Sequence, residues 1–318
     1  FKNKKKVTFD ARYESINLYI LFKALKDFKF NKLIKLYKKY YLQEVNPKII
    51  YTNIDNNPAF FNLKNIYDKP LYVSDQAGIA KVNNQSWPND FQRECIKINS
   101  KSKKKLGSDL IFVFGESDKL QMSKILKGKI FALGNSINNF YFAKNIKKSK
   151  KITNINFLNS ATYKETLPHE IKIFNILKKY CRKNDLKLTL ISREGYVKKI
   201  RAVDHFGKLN EDFYRRTFGD GGWTYYASNR IKDRYDFVNN SELLVFAHTT
   251  LGLQALAKGV KCIILLSQLA KRNMHWQHND DGYFWTTSKD FERIKKKIDR
   301  VIKTNYAEWN KISKNVAS

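Results

Sequence analysis

The stretch from Glu242 to Leu266 constrains the fold more than any other part of this 318-residue chain. An apolar run, Glu242 to Ala247, is followed by a polar turn and a helix-length segment, Leu251 to Lys258. Gly259 then precedes a second apolar run, Lys261 to Leu266. Runs of that length fit buried strands, and a glycine just past a helical segment fits a left-handed C-cap. Two buried strands joined through one helix belong to a parallel sheet covered by helices.

The same alternation recurs along the chain. In the first half, strands are expected at Lys6 to Phe9, Lys48 to Thr52, Leu71 to Ser74, Leu110 to Phe114 and Lys129 to Leu133, with helical stretches over Ile16 to Leu25 and Lys32 to Tyr41. Several of these runs end in polar or glycine-containing sequence: Asn53-Ile54-Asp55-Asn56, Asp75-Gln76-Ala77-Gly78, Gly115, and Gly134-Asn135-Ser136. Open α/β sheets bind ligands at such strand carboxyl ends. The polar, basic stretch Asn145 to Lys151 separates this half from a second series. There, strands are expected at Ile155 to Leu158 and Leu186 to Ile191. Helices are expected from Thr166 to Lys183, over Arg230 to Asn239, and over Lys289 to Asn305. The pattern predicts an α/β chain of two Rossmann-like domains with parallel sheets, residues 1–150 and 151–318, the second carrying a C-terminal helix.

The balance of 61 Lys and Arg against 29 Asp and Glu, a net +32, invites a nucleic-acid reading. Only 12 of the 61 are Arg, however, and base reading and bidentate phosphate pairing favour Arg. The lysines are scattered among abundant Asn and Ile, so no nucleic-acid partner is expected. An anionic inner-membrane surface is the expected electrostatic partner. No apolar run approaches the roughly 20 residues of a membrane-spanning helix. Three widely spaced cysteines (Cys95, Cys181, Cys262) provide no disulfide framework and suit a reducing compartment. With no signal peptide ahead of Phe1, the expected location is cytoplasmic and peripheral to the inner membrane.

The chemistry is expected first at Ala247-His248-Thr249-Thr250-Leu251-Gly252-Leu253-Gln254. A buried strand delivers two hydroxyls to a helix start, where unpaired backbone N–H groups and the helix dipole attract phosphate. Gly252 is expected to let a ligand approach the backbone, although it equally fits a packing contact. Thr249 equally fits a simple N-cap. This segment resembles the signature of O-antigen and capsule glycosyltransferases of the GT-B type, in which a strand meets Ser-Thr-Leu-Gly-Tyr-Glu and a helix closing on Gly. Thr52-Asn53-Ile54-Asp55-Asn56, Asp75-Gln76-Ala77-Gly78, Phe112-Val113-Phe114-Gly115, Gly134-Asn135-Ser136 and Tyr283-Phe284-Trp285 match further family segments in the same order.

The resemblance implies two Rossmann-like domains across a cleft, with the nucleotide sugar held by the second and a glycan or lipid-linked glycan acceptor by the first. It implies transfer of a sugar to a growing surface polysaccharide, with no metal and no cofactor beyond the nucleotide-sugar substrate. The donor site is expected at Arg193, Thr249, Thr250, Leu251, Gly252, Gln254 and Tyr226. Asp10, Gln76 and Gly78 are expected at the acceptor, Asp55 as general base, and His248 beside the phosphate or leaving oxygen. Glu14 and Asp75 are alternative bases by position. Trp223 and Tyr225 are further stacking candidates. Gln254 stands where many retaining enzymes carry a ribose-binding Glu, which leaves the donor and the stereochemical outcome open. His275, His278, Asp280 and Asp281 raise a metal site, but no third-ligand pattern accompanies them. Two alternatives remain: a CDP-polyol phosphotransferase on this fold, and a non-catalytic carbohydrate- or nucleotide-binding protein.

Overall fold

The computed structural model describes residues 16–27, 33–53, 57–76, 90–102, 104–134, 151–159, 167–192, 211–227, 230–247, 249–268 and 279–317. The chain forms two compact units, one of Phe1–Ala77 and Asp90–Gly134, the other of Gly78–Asn89 and Asn135–Ser318. The expected boundary at residue 150 falls within 135–150, outside the described residues.

The described part of the first unit opens with an α-hairpin, α1 (Leu18–Lys26) and α2 (Leu33–Val45). Then β1 (Ile49–Thr52), β2 (Leu71–Asp75), β3 (Gly107–Val113) and β4 (Lys127–Ala132) alternate with α3 (Pro58–Ile66), α4 (Asp90–Lys101) and α5 (Glu116–Ile125). The four strands are parallel and adjacent in chain order. Right-handed crossovers between sequential parallel strands put all three connecting helices on one face. That face holds the core of Phe60, Phe61, Tyr72, Ile111, Val113 and Met122. Period-two alternation places Ile49, Tyr51 and Phe131 on the opposite face, where each remains exposed.

The second unit is a six-stranded, wholly parallel sheet in the order β10-β9-β8-β5-β6-β7. Its strands are β5 (Asn154–Leu158), β6 (Lys187–Ile191), β7 (Thr224–Tyr226), β8 (Leu243–Phe246), β9 (Cys262–Leu265) and β10 (Trp285–Thr286). Among the described residues its helices are α6 (Leu167–Lys183), α7 (Glu211–Phe218), α8 (Ile231–Asn239), α9 (Thr250–Ala257), α10 (Phe291–Lys303) and α11 (Tyr306–Ala317). β5, β6, β8 and β9 are buried almost throughout, as expected of a sheet covered on both faces.

The helix expected over Lys289 to Asn305 is α10, which ends before Thr304, and the chain continues into α11, a helix not expected from the sequence. The buried Lys261 ammonium bonds to the Ile302 and Thr304 carbonyls and closes the end of α10. α6 and α10 share a face, with the Tyr180 hydroxyl donating to Asp299 at 2.6 Å. α11 instead packs on α9. Its fully buried Trp309 donates through Nε1 to the Val260 carbonyl at 3.1 Å and meets the Phe284 ring edge-on at 5.1 Å.

Candidate functional site

The strand order defines where a ligand can sit. From β5 the chain builds outward through β6 and β7, then returns to β8 on the other side of β5 and continues to β9 and β10. The carboxyl ends of β5 and β8 therefore form a topological switch point, where the following helices leave on opposite faces and open a crevice. Leu158 and Phe246 are register partners there. The motif singled out in the sequence follows Phe246 directly.

α9 begins after Thr249, whose extended backbone (φ −155°, ψ 133°) makes it the N-cap. Its side chain forms no capping hydrogen bond. First-turn N–H groups, which a helix cannot pair internally, are the kind of donor that binds an anion. Gln254 lies one turn on from Thr250 and shares its face of the helix. It is buried, and its Oε1 has no hydrogen-bond partner among the described residues. A buried acceptor left open costs about 1–3 kcal/mol, so a donor group arriving there would gain correspondingly. The helix closes as expected: Gly259 has φ +86°, and its N–H and that of Val260 bond to the Leu256 and Ala255 carbonyls.

Gly252 has a reason different from the one expected. A Cβ at this position would lie 2.6–2.7 Å from ring atoms of Phe246. The glycine is required because the helix packs directly on the aromatic ring at the end of β8. Of the two sequence readings, the geometry supports the packing contact.

A buried polar group lies across the switch point. Asn159, just past β5, donates through Nδ2 to Glu170 in the first turn of α6, and both residues are buried. The neighbouring His169 reaches the carboxyl end of β9, with Nε2 2.9 Å from the Leu265 carbonyl. A carbonyl cannot donate, so this nitrogen carries the proton and Nδ1 is left as a buried acceptor with no partner among the described residues. In the sequence, Pro168 and Glu170 suit the first turn of a helix. The available signal was a His-Glu pair at the start of the helix that follows the β5 strand.

Burial lowers the His169 pKa below the ordinary imidazole value of 6.5, and the nearby positive charges of Lys289 and Lys172 oppose protonation further, against the hydrogen bond to Leu265. A histidine kept neutral by folding contributes stability that is complete above about pH 6.5 and is lost as the pH falls through the depressed folded-state value. Melting temperature followed from pH 7 to pH 5 should therefore decline, and His169→Gln should flatten that decline. An unchanged slope in the variant would assign the acid sensitivity elsewhere.

The aromatic candidates have structural partners. Tyr226 stacks on Phe237, with ring centroids 3.7 Å apart, and its hydroxyl donates to the Asp233 carbonyl at 3.2 Å. It ends β7, three strand spacings or about 14 Å from β8. Trp223 is buried against Phe174, and Tyr225 packs on Tyr214. In the first unit, buried Gln76 joins two strand ends, its Oε1 accepting from the Phe114 N–H at 2.8 Å.

Gln76 also hydrogen-bonds Asp118, whose pKa is raised by burial despite that bond and a second one from the Gly115 N–H. Asp118 stands at the third position of α5 and reaches back to its N-cap residue, half of a capping box. A carboxyl group with a raised pKa at a strand carboxyl end is also a general-base candidate, one that sequence reading passed over. Asp75 is buried and accepts from the Tyr51 hydroxyl at 3.2 Å; burial and the Asp75 charge push that hydroxyl to about 12. Asp281 binds Lys297 at 2.8 Å. Asp10, Glu14, Asp55, Gly78, Arg193, His248, His275 and His278 lie outside the described residues.

Two α/β units with parallel sheets, of four and six strands, define a GT-B fold. Solved structures share that fold. One is the "putative UDP-N-acetylglucosamine 2-epimerase from Listeria monocytogenes", at TM-score 0.55 and 13% identity over 88% of this chain and 72% of that one. The S. aureus MnaA–UDP co-structure matches at TM-score 0.53 and 12% identity, over 94% and 76%. The E. coli "Trehalose-6-phosphate" protein bound with UDP-2-fluoro glucose matches at TM-score 0.50 and 13% identity, over 96% and 79%. No curated protein matches this sequence. Residues 89–318 match the family model described as "putative O-antigen biosynthesis protein", and the chain belongs to that family.

Proposed function

We propose that this protein is a glycosyltransferase of surface-polysaccharide assembly, moving a sugar from a nucleotide-sugar donor to a growing glycan without a metal ion. The observation that carries the reading is the start of α9 at the switch point: an N-cap threonine whose side chain makes no capping bond, followed one turn on by the open Gln254 acceptor. Thr249, Thr250 and the first-turn N–H groups would hold the donor phosphates, with Arg193 and His248 beside them. Gln254 Oε1 would accept from a sugar or ribose hydroxyl. The acceptor hydroxyl would lose its proton to Asp55, or to Asp118, and its oxygen would displace the nucleotide from the sugar's anomeric carbon. Asp10, Gln76 and Gly78 remain assigned to the acceptor. UDP-sugars are the first donors to test, because the similar folds named above include UDP-bound ones.

Calorimetry across a panel of nucleotide sugars should find a binding donor. Thr250→Ala should then weaken it by about 1–2 kcal/mol, roughly tenfold, with melting unchanged. Incubation with lipid-linked glycans should release free nucleotide and lengthen the acceptor. Conversion of the donor to an isomer with no acceptor present would replace transfer by epimerisation. A phosphorus-containing product would indicate polyol-phosphate transfer. Donor binding with no turnover would leave a binding protein.

A further inference from the structure

The N-terminal α-hairpin carries an apolar face that its own fold leaves uncovered. Asn17 caps α1, its Oδ1 accepting from the Ile20 N–H at 3.2 Å, and this sets the helix phase. Ile20 and Ala24 then turn inward and are buried. Leu18, Phe22 and Leu25, spaced four and three residues apart, share the outward face at 65%, 65% and 45% exposure. Tyr19 flanks them at 59%, and Ile34 of α2 is 73% exposed. An ordinary surface helix has the reverse arrangement, with polar residues outward.

The charge on the same hairpin is one-sided. Its two described acids have partners within it: Asp27 accepts from the Tyr40 hydroxyl, and Glu44 pairs with Lys23. Lys26, Lys35, Lys38 and Lys39 form no ion pair among the described residues. Outward leucine and aromatic side chains accompanied by unneutralised lysines suit the interface of an anionic bilayer. There, apolar side chains enter the acyl boundary while the ammonium groups meet lipid headgroups. A second copy of this chain, with its own +32 charge, is electrostatically disfavoured as the occupant.

We infer that the α1–α2 hairpin is a docking surface for an anionic phospholipid bilayer, engaged through Leu18, Phe22 and Leu25 and supported by the hairpin's lysines. The inference is independent of sugar transfer, and its test uses neither donor nor acceptor. The full chain would be sedimented with vesicles of phosphatidylcholine alone and with vesicles containing phosphatidylglycerol. Binding should be at least tenfold tighter to the anionic vesicles and should weaken with salt. Leu18→Ser/Phe22→Ser/Leu25→Ser and Lys26→Gln/Lys35→Gln/Lys38→Gln/Lys39→Gln should each reduce it at least tenfold with unchanged melting.

Leu18→Trp, a single exposed replacement, gives a second readout. Its emission should shift to the blue and be quenched by brominated acyl chains in anionic vesicles only. Equal binding by the wild type and both multiple variants, or an unquenched Leu18→Trp, would overturn the inference. So would a dimer that the serine variant dissolves, which would show the face to be a contact between copies.

Discussion

Gly252→Ala should lower the melting temperature of the second unit sharply, although it adds a single methyl group to a helix. That methyl would sit 2.6 Å from Cγ of Phe246, and Phe246 is fully buried at the end of β8. Neither partner can yield easily. The ring lies in the sheet core, and moving α9 would disturb its contacts with α8 and α11. Overpacking of this kind costs about 1–3 kcal/mol and occasionally more; Gly252→Val, with a branched side chain, should stand at or beyond the upper end. The test is a double-mutant cycle with Phe246→Leu. If the contact is the cause, the double variant should be at least about 1 kcal/mol more stable than the sum of the single effects predicts. Strict additivity would mean that the glycine is needed for another reason. Because bulk at Gly252 disturbs folding, Thr250→Ala, not Gly252→Val, is the clean probe of the phosphate turn.

Trp309→Ala should be the most damaging single replacement in α11. The side chain is fully buried, its indole N–H bonds to the Val260 carbonyl, and its ring packs against Phe284. Truncating a buried aromatic typically costs about 3–5 kcal/mol, which for a unit of this size lowers the melting temperature by roughly 10 °C. Asn310 beside it approaches Gly259 so closely that a Cβ there would fall 2.8 Å from its Oδ1. α11 thus fastens the end of α9, the helix whose start forms the candidate phosphate turn. Nucleotide affinity should fall in the variant even below its melting temperature, because a loosened α9 presents its N–H groups less consistently. A melting temperature within about 2 °C of wild type would show that α11 is not part of the second unit's cooperative core.

The polar residues at the switch point contrast with this core. Asn159, Glu170, His169 and Gln254 are all buried, and two of them hold acceptors without partners among the described residues. A fold tolerates such groups at a cost, and they mark where a ligand's donors would be most welcome. Their position at the ends of β5, β8 and β9 matches the place that the sheet topology selects independently.

The sequence by itself determined the kind of architecture. Short, wholly apolar runs such as Leu243–Phe246 and Cys262–Leu265, joined by a helix-length segment ending at Gly259, admit a parallel α/β sheet because local periodicity and turn chemistry are properties of neighbouring residues. The Thr249–Thr250 turn was legible for the same reason. Helices α3, α4, α5, α7 and α11 were not: α5 interleaves its apolar residues with Ser, Asp and Lys and yields little periodic contrast, and the eight residues of α7 are too few to establish a period. Only the tertiary structure decided that β8 returns to lie beside β5, which makes the turn a switch point. Only it brought the Phe246 ring onto Gly252, His169 to the Leu265 carbonyl, and Trp309 under Val260. Each of these depends on a contact between residues distant in sequence, set by strand order and helix packing, and no local pattern encodes which distant side chain will arrive.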